Sequence, residues 1–174
     1  MSFTGADYDF TDKARGYREL ARAVTALLAH ERDWIANTAN ATALLHDALP
    51  DLNWVGVYVP TAARTGVREL IVGPFQGKPA CVRIAMGRGV CGTAAERRET
   101  IVVPDVNAFD GHIACDTASR SEIVVPMLRT DRDDDAGLVG VLDLDSPRLA
   151  RFDELDRAGL EHIAAIIVAA SDWP

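Results

Sequence analysis

The chain has 174 residues, 48% apolar and 25% charged, and its 18 Lys and Arg against 26 Asp and Glu leave a formal net charge of -8. A domain of this length buries roughly two thirds of the surface its unfolded chain exposes, so it folds without a disulfide or metal staple. The acidic balance excludes a nucleic-acid backbone or an anionic membrane surface as the main partner, because both are gripped by clustered Lys and Arg. No apolar run approaches the ~18 residues of a membrane span, and the start MSFTGADYDFTDKAR lacks the pattern of a secretory signal, so a cytoplasmic protein is expected. The three cysteines lack CxxC spacing and suit neither a disulfide framework nor a zinc ribbon.

Residues 12–49 read as helical, with Leu20, Val24, Leu27 and Leu28 at the spacing of a buried stripe. Trp34, Ile35 and Ala39, then Leu44 and Leu45, continue an apolar face in another phase. The block therefore divides near Glu31 into two helices and closes at Pro50. In NWVGVYV, Trp54, Gly56 and Tyr58 alternate with Val55, Val57 and Val59, the period-two pattern of a strand. The valines suit a helix-covered core; an indole and a phenol flanking a glycine suit the wall of a pocket. Further β-like runs at 68–72, 80–84, 101–103, 122–128 and 138–144 bring the expected strands to six, and a last helix carries Leu155, Leu160, Ile163, Ile166 and Ile167. This order predicts one α+β domain over 1–174: N-terminal helices over about 12–49, sheet and active-site loops over 53–145, and a C-terminal helix over 152–170. The sheet is expected to be antiparallel, with helices on one face. The acidic patch RTDRDDDAG at 129–137 reads as a solvated hairpin tip.

Chemistry concentrates between residues 81 and 145. Gly87, Gly89 and Gly92 surround Cys91 just before the helix-like TAAERRE, where backbone N–H groups would favour its thiolate; the alternative is a tight turn holding a small buried cysteine. Cys81 lies in the strand pattern PACVRIA, on the side of Arg83 and opposite Ala80, Val82 and Ile84, which reads as a packing cysteine. Cys115 sits in the polar segment GHIACDTASRSE, bracketed by His112, Asp116 and Arg120. A loop cysteine beside cationic groups is a candidate nucleophile, with Asp116 opposing the thiolate. Glu122 opens the strand EIVVPML, and Asp143 and Asp145 in GVLDLDSP fall on one face of another. Carboxylates inside strands need partners, which points to a bound amine, a proton held by crowding, or a cation; a capped strand end is the alternative for Asp145.

Taken in order, NWVGVYV, GPFQGKPACVRI, GRGVCGTAA, PDVNAFDGHIACDTASRSEIVVP and GVLDLDSP closely resemble the free methionine (R)-sulfoxide reductases, which are built on a GAF domain. The resemblance implies a six-stranded antiparallel sheet, N- and C-terminal helices packed on one face, and a small closed ligand pocket on the other. It implies that Cys115 attacks the sulfoxide sulfur of free L-methionine (R)-sulfoxide and becomes a sulfenic acid. Cys81 then resolves this as a disulfide that thioredoxin reduces, with Cys91 as an auxiliary thiol. Glu122, Asp143 and Asp145 match the family's carboxylates: a sulfoxide needs an acid at its oxygen as a thiolate approaches sulfur, and the remaining charge holds the substrate ammonium. Trp54 and Tyr58 match residues that line the pocket around the S-methyl group. Backbone N–H groups from Ser119 through Arg120, Ser121 and Ile123 are a candidate cradle for the substrate carboxylate. No metal or bound cofactor is implied. Asp110 departs from the pattern, standing where a proline is expected.

Two other readings compete. A GAF sensor module would bind a cyclic nucleotide through the glycines of GRGVCG, against which the acidic pocket argues by repelling phosphate. A metal site from Cys81, Cys91, Cys115 and His112 lacks the close ligand pairs of zinc sites. A homodimer through the N-terminal helices, with Trp34 and Ile35 in the contact, is a further expectation.

Overall fold

The computed structural model describes residues 8–62, 66, 68–111, 116–131 and 137–174. Two helices open the chain, α1 (Lys13–Leu28) and α2 (Trp34–Ala48). Asp12 caps the first by accepting from the Arg15 N–H, and Asp33 caps the second by accepting from the Ala36 N–H. Between them Glu31 accepts from the N–H groups of Arg32 and Asp33 at 2.7 and 2.8 Å, which breaks the helix where the apolar face changes phase.

Strands β1 (Trp54–Ala62), β2 (Arg68–Gly77) and β3 (Arg83–Ala85) follow, then helix α3 (Gly89–Arg97) and strand β4 (Ile101–Val103). A 3₁₀ turn at Val106–Ala108 leads toward β5 (Ser121–Leu128), β6 (Leu138–Ser146) and helix α4 (Glu154–Ala170). The six strands form one antiparallel sheet in the order β3-β2-β1-β6-β5-β4, as expected of the fold.

Strands β2 and β3 depart most from the sequence reading. Strand β2 runs on through GPFQG to Gly77, because β1 pairs with it from Trp54↔Gly77 to Ala62↔Arg68. The pairing jumps from Gly56↔Phe75 to Tyr58↔Val72, so Gly73 and Pro74 sit in a bulge, where a proline costs no ladder bond. Strand β3 begins only at Arg83, leaving Cys81 in the connection before it and Val82 61% exposed.

Helices α2 and α4 cover one face of the sheet over Val55, Val57, Ile123, Val125, Leu142 and Leu144, and α1 packs on α4. Helix α3 covers part of the other face with Val90, Cys91, Ala94 and Ala95, so the face opposite the terminal helices is itself partly roofed. Trp34 stacks on Trp173 of its own chain at 5.6 Å, leaving Ile35 as the exposed member of the expected dimer contact. Among the described residues no helix is long and apolar enough to cross a membrane.

The α1–α4 contact is pinned by Asp156, fully buried in the first turn of α4. It accepts from Lys13 Nζ, from the Tyr17 hydroxyl at 2.9 Å and from Arg151 Nη1 at 2.9 Å. Removing one partner of a buried ion pair leaves the rest uncompensated. Asp156→Ala is expected to lower unfolding free energy by about 3 kcal/mol in denaturant titration, whereas Asp172→Ala, on an exposed pair with Arg32, changes it by less than about 1 kcal/mol.

Candidate active site

The alternation along three adjacent strands decides which side chains meet. Asp143 lies opposite Gly56 on one side and Val124 on the other; Asp145 lies opposite Trp54 and Glu122. Trp54, Tyr58, Glu122, Asp143 and Asp145 therefore project from the face that α3 roofs, and each is at most 5% exposed. The sequence pattern put Trp54 with Tyr58 on one face of a strand and Asp143 with Asp145 on one face of another; the pairing of β1, β6 and β5 brings them and Glu122 together.

The aromatic wall is a stack. Trp54 lies between Tyr58, at 5.9 Å between ring centroids, and Phe75, at 5.4 Å. The indole folds back over Gly56, where a Cβ would sit 2.2 Å from its ring and 2.6 Å from the Phe75 Cβ. Phe75 escaped sequence reading because it belongs to the stretch of β2 that only pairing reveals. Gly56→Val must push the stack apart. The expected result is a loss of about 1–3 kcal/mol in thermal unfolding, as for other overpacked cores, together with a changed near-ultraviolet circular dichroism spectrum.

Polar edges of the same rings hold a neighbouring segment. Trp54 Nε1 donates to the Lys78 carbonyl and the Tyr58 hydroxyl donates to the Cys81 carbonyl, each at 3.1 Å. Lys78 Nζ in turn pairs with Asp116 Oδ1 at 3.0 Å, while Asn53 Nδ2 donates to Asp116 Oδ2 at 3.2 Å and to Ser119 Oγ at 3.0 Å. Lys78 precedes Cys81 by three residues and Asp116 directly follows Cys115, so this ion pair joins the two segments that carry those cysteines. The bond from the Ala118 N–H and the Lys78 ammonium hold the Asp116 carboxyl below its ordinary range. Asp116, read from sequence as a charge opposing a thiolate, is thus already compensated. Cys115 itself and His112 lie outside the described residues.

Of the two sequence readings of Cys91, the structure takes the small buried cysteine. Helix α3 starts at Gly89, so Cys91 is inside its first turn, and Gly92 allows that turn to approach the Ala85 carbonyl to within 2.3 Å of where a Cβ would lie. The sulfur points down at the sheet, and its thiol donates to Asp143 Oδ2 at 3.2 Å. Burial, then the adjacent Asp143 and Glu122 charges, push the thiol well above its usual range instead of toward thiolate. Cys81, half-buried, and Cys91 are both free thiols.

Glu122 and Asp143 are raised well above the carboxylate range, in both cases by burial first and by a neighbouring carboxylate second: Asp145 for Glu122, and Glu122 itself for Asp143. Two such groups in contact resist ionising together, which favours a proton held on the pair. Asp143 Oδ1 is buried and, among the described residues, accepts no hydrogen bond.

Two of the backbone donors expected of a carboxylate cradle are engaged within the chain. The Ser119 N–H donates to the Asp116 carbonyl and the Arg120 N–H to the Ser146 carbonyl. Ser121 Oγ donates to the Arg148 carbonyl at 2.7 Å, and Ile123 packs among the residues that face α2 and α4. Ser121 and Ile123 flank Glu122 in β5, so their side chains point to the opposite face from it. Arg120 is exposed at the strand's start.

A sheet that gives one face to helices and keeps protonated carboxyls beside stacked aromatics on the other is the architecture of a small-molecule-binding α+β domain. The chain belongs to the GAF domain family, whose model matches residues 18–170. It is 50% identical over 159 residues to Protein YtsP of Bacillus subtilis, covering 91% of this chain and 93% of that one. It is 46% identical over 165 residues to the free methionine-R-sulfoxide reductase of Escherichia coli, covering 93% and 94%. Among solved structures, the free methionine-R-sulfoxide reductase from Neisseria meningitidis in complex with its substrate aligns at 44% identity with a TM-score of 0.84, covering 96% of this chain and 95% of that one.

Proposed function

We propose that this protein reduces free L-methionine (R)-sulfoxide to L-methionine. The observation that carries the reading is the proton-holding Glu122–Asp143 pair buried beside the Trp54–Tyr58–Phe75 stack, in a chain 46% identical to a reductase of that name. The S-methyl group packs against the aromatic wall, and the sulfoxide oxygen takes the proton of the carboxyl pair as the Cys115 thiolate attacks sulfur. Methionine leaves and Cys115 carries the oxygen as a sulfenic acid. The Cys81 thiol then attacks that sulfur, water departs, and the resulting disulfide is returned to two thiols by thioredoxin. The Lys78–Asp116 pair supports this order by holding the two cysteine-bearing segments together.

Asp145 and the ionised member of the pair balance the substrate ammonium. A site that reads an ammonium rejects a methionine residue within a polypeptide, whose amide nitrogen is uncharged. The preference for the R epimer rests on the family resemblance. Cys91, buried and hydrogen-bonded to Asp143, supports the carboxyl pair instead of meeting an external reductant. The reading extends to a cytoplasmic setting with thioredoxin as partner and to a homodimer in which the exposed Ile35 takes part.

The test is NADPH consumption in a thioredoxin-coupled assay with the free R epimer, the free S epimer and an N-acetylated sulfoxide. Turnover of the free R epimer alone, lost in Cys115→Ser, is expected. No turnover of any substrate by reduced protein would overturn the reading in favour of a ligand-binding module.

A further inference from the structure

The connection from β2 to β3 carries Cys81 between Gly77 and Arg83, and side chains from β1 hold its backbone near both ends. Trp54 Nε1 donates to the Lys78 carbonyl and the Tyr58 hydroxyl to the Cys81 carbonyl. Gly77, at φ +122°, lets the connection start hard against β1, since a Cβ there would lie 2.7 Å from the Asn53 carbonyl oxygen and from the Trp54 ring. From this fixed backbone the Lys78 side chain, 67% exposed, reaches Asp116, whose side chain is 4% exposed. Asp116 is anchored independently, because Oδ1 accepts from the Ala118 N–H at 2.9 Å and Oδ2 from Asn53 Nδ2 at 3.2 Å. The ion pair therefore builds neither segment. What it sets is the separation between them, across 38 residues of sequence.

We propose that Lys78 is the positioning residue of the recycling step: its ammonium on Asp116 holds the Cys81 segment beside the one that follows Cys115, so that the disulfide closes while the sulfenic acid lives. The inference rests on the reductase reading, which supplies the sulfenic acid. In the step the Cys81 sulfur attacks the Cys115 sulfur; the S–S bond forms as the S–O bond breaks, and the hydroxyl leaves with the thiol proton as water. A disulfide needs its two Cα atoms within about 7 Å. Lys78 precedes Cys81 by three residues, a reach of at most roughly 11 Å, so its contact with Asp116 confines the Cys81 thiol and raises its effective concentration at the segment after Cys115. A point charge on a flexible stem makes a tether and not a rigid clasp, which leaves the connection able to shift as the bond closes.

The experiment oxidises reduced protein with stoichiometric free methionine (R)-sulfoxide or, separately, with hydrogen peroxide, quenches with acid at intervals and weighs the intact chain. The sulfenic acid has gained an oxygen and the disulfide has lost two hydrogens, so mass separates the two, and peptide mapping identifies the Cys81–Cys115 pair. Lys78→Met is expected to slow closure about fivefold, more than it slows methionine release, and Lys78→Arg to restore it. Concentrated salt screens the exposed ammonium, so it should slow closure in the unmodified protein toward the Lys78→Met rate and leave Lys78→Met itself unaffected. Circular dichroism confirms that each variant is folded. Closure as fast in Lys78→Met as in the unmodified protein overturns the proposal, as does a slowing that neither Lys78→Arg nor salt tracks. Absence of a Cys81–Cys115 disulfide in the unmodified protein after either oxidant overturns it too. Closure after peroxide with this dependence on Lys78, in a protein that releases no methionine from the sulfoxide, keeps the tether and overturns the reductase reading alone.

Discussion

Glu122→Gln and Asp143→Asn are each expected to lower kcat for free methionine (R)-sulfoxide by about 10²–10⁴-fold, the range of a lost general acid. An amide cannot surrender the proton that the sulfoxide oxygen needs, a proton held on the native carboxyls first by burial and then by the neighbouring carboxylates, Asp145 beside Glu122 and Glu122 beside Asp143. Asp145→Asn is expected to behave differently, raising KM about tenfold or more with a smaller change in kcat, because a charge-assisted bond to the ammonium is weakened while the acid remains. Steady-state kinetics across pH separate the two. In the unmodified protein kcat falls as pH rises through the raised pKa of the pair; in Glu122→Gln the residual rate no longer follows that limb. If Glu122→Gln and Asp143→Asn both keep most of the turnover, the carboxyl pair is not the acid.

The same buried pair gives stability an unusual pH dependence. Below the unfolded-state carboxyl values of about 4, folded and unfolded chains both carry these protons, and the contribution to folding is fully present. As pH rises the unfolded chain releases its protons while the folded chain keeps them, so stability falls until the folded pKa is passed. Each unit by which burial raises such a pKa amounts to about 1.4 kcal/mol lost above it. Asp143→Asn should therefore unfold at a higher temperature than the parent at pH 8, by about 2–4 °C for each kcal/mol recovered, with the difference vanishing near pH 4. Asp116 acts in the opposite sense: its bonds to Lys78 and the Ala118 N–H stabilise above the unfolded carboxyl value and are lost as pH falls through its lowered pKa. Thermal unfolding from pH 4 to 9 should show stability greatest on the mildly acid side. An Asp143→Asn variant less stable than the parent at pH 8 would show that the charge is not held at a cost.

The two effects are one property seen twice. A carboxyl held protonated by burial is one whose ionised form water would favour, so the fold gives up stability at the site proposed to do the chemistry. Cys91 belongs to this arrangement, since its thiol fills the space above Asp143 and supplies a donor to one of its two oxygens.

Local regularities determined much of this protein. The apolar spacings of residues 12–49 and of the last helix, the aspartates at their starts and the period-two pattern of NWVGVYV are short-range signals, and the helices and β1 follow them. Side-chain alternation likewise pairs Trp54 with Tyr58 and Asp143 with Asp145 on one face of their own strands, whereas their union with Glu122 in one site was legible only through the family resemblance. Tertiary structure decided what depends on partners distant in the chain. The extension of β2 across a proline comes from pairing with β1, and the placement of Phe75 in the aromatic stack comes with it. The Lys78–Asp116 pair spans 38 residues of sequence separation, which no local pattern encodes. Cys91 became a buried proton donor instead of a helix-activated thiolate because α3 lies against two acidic strands, and burial beside negative charge outweighs the helix N-terminus acting on the same sulfur.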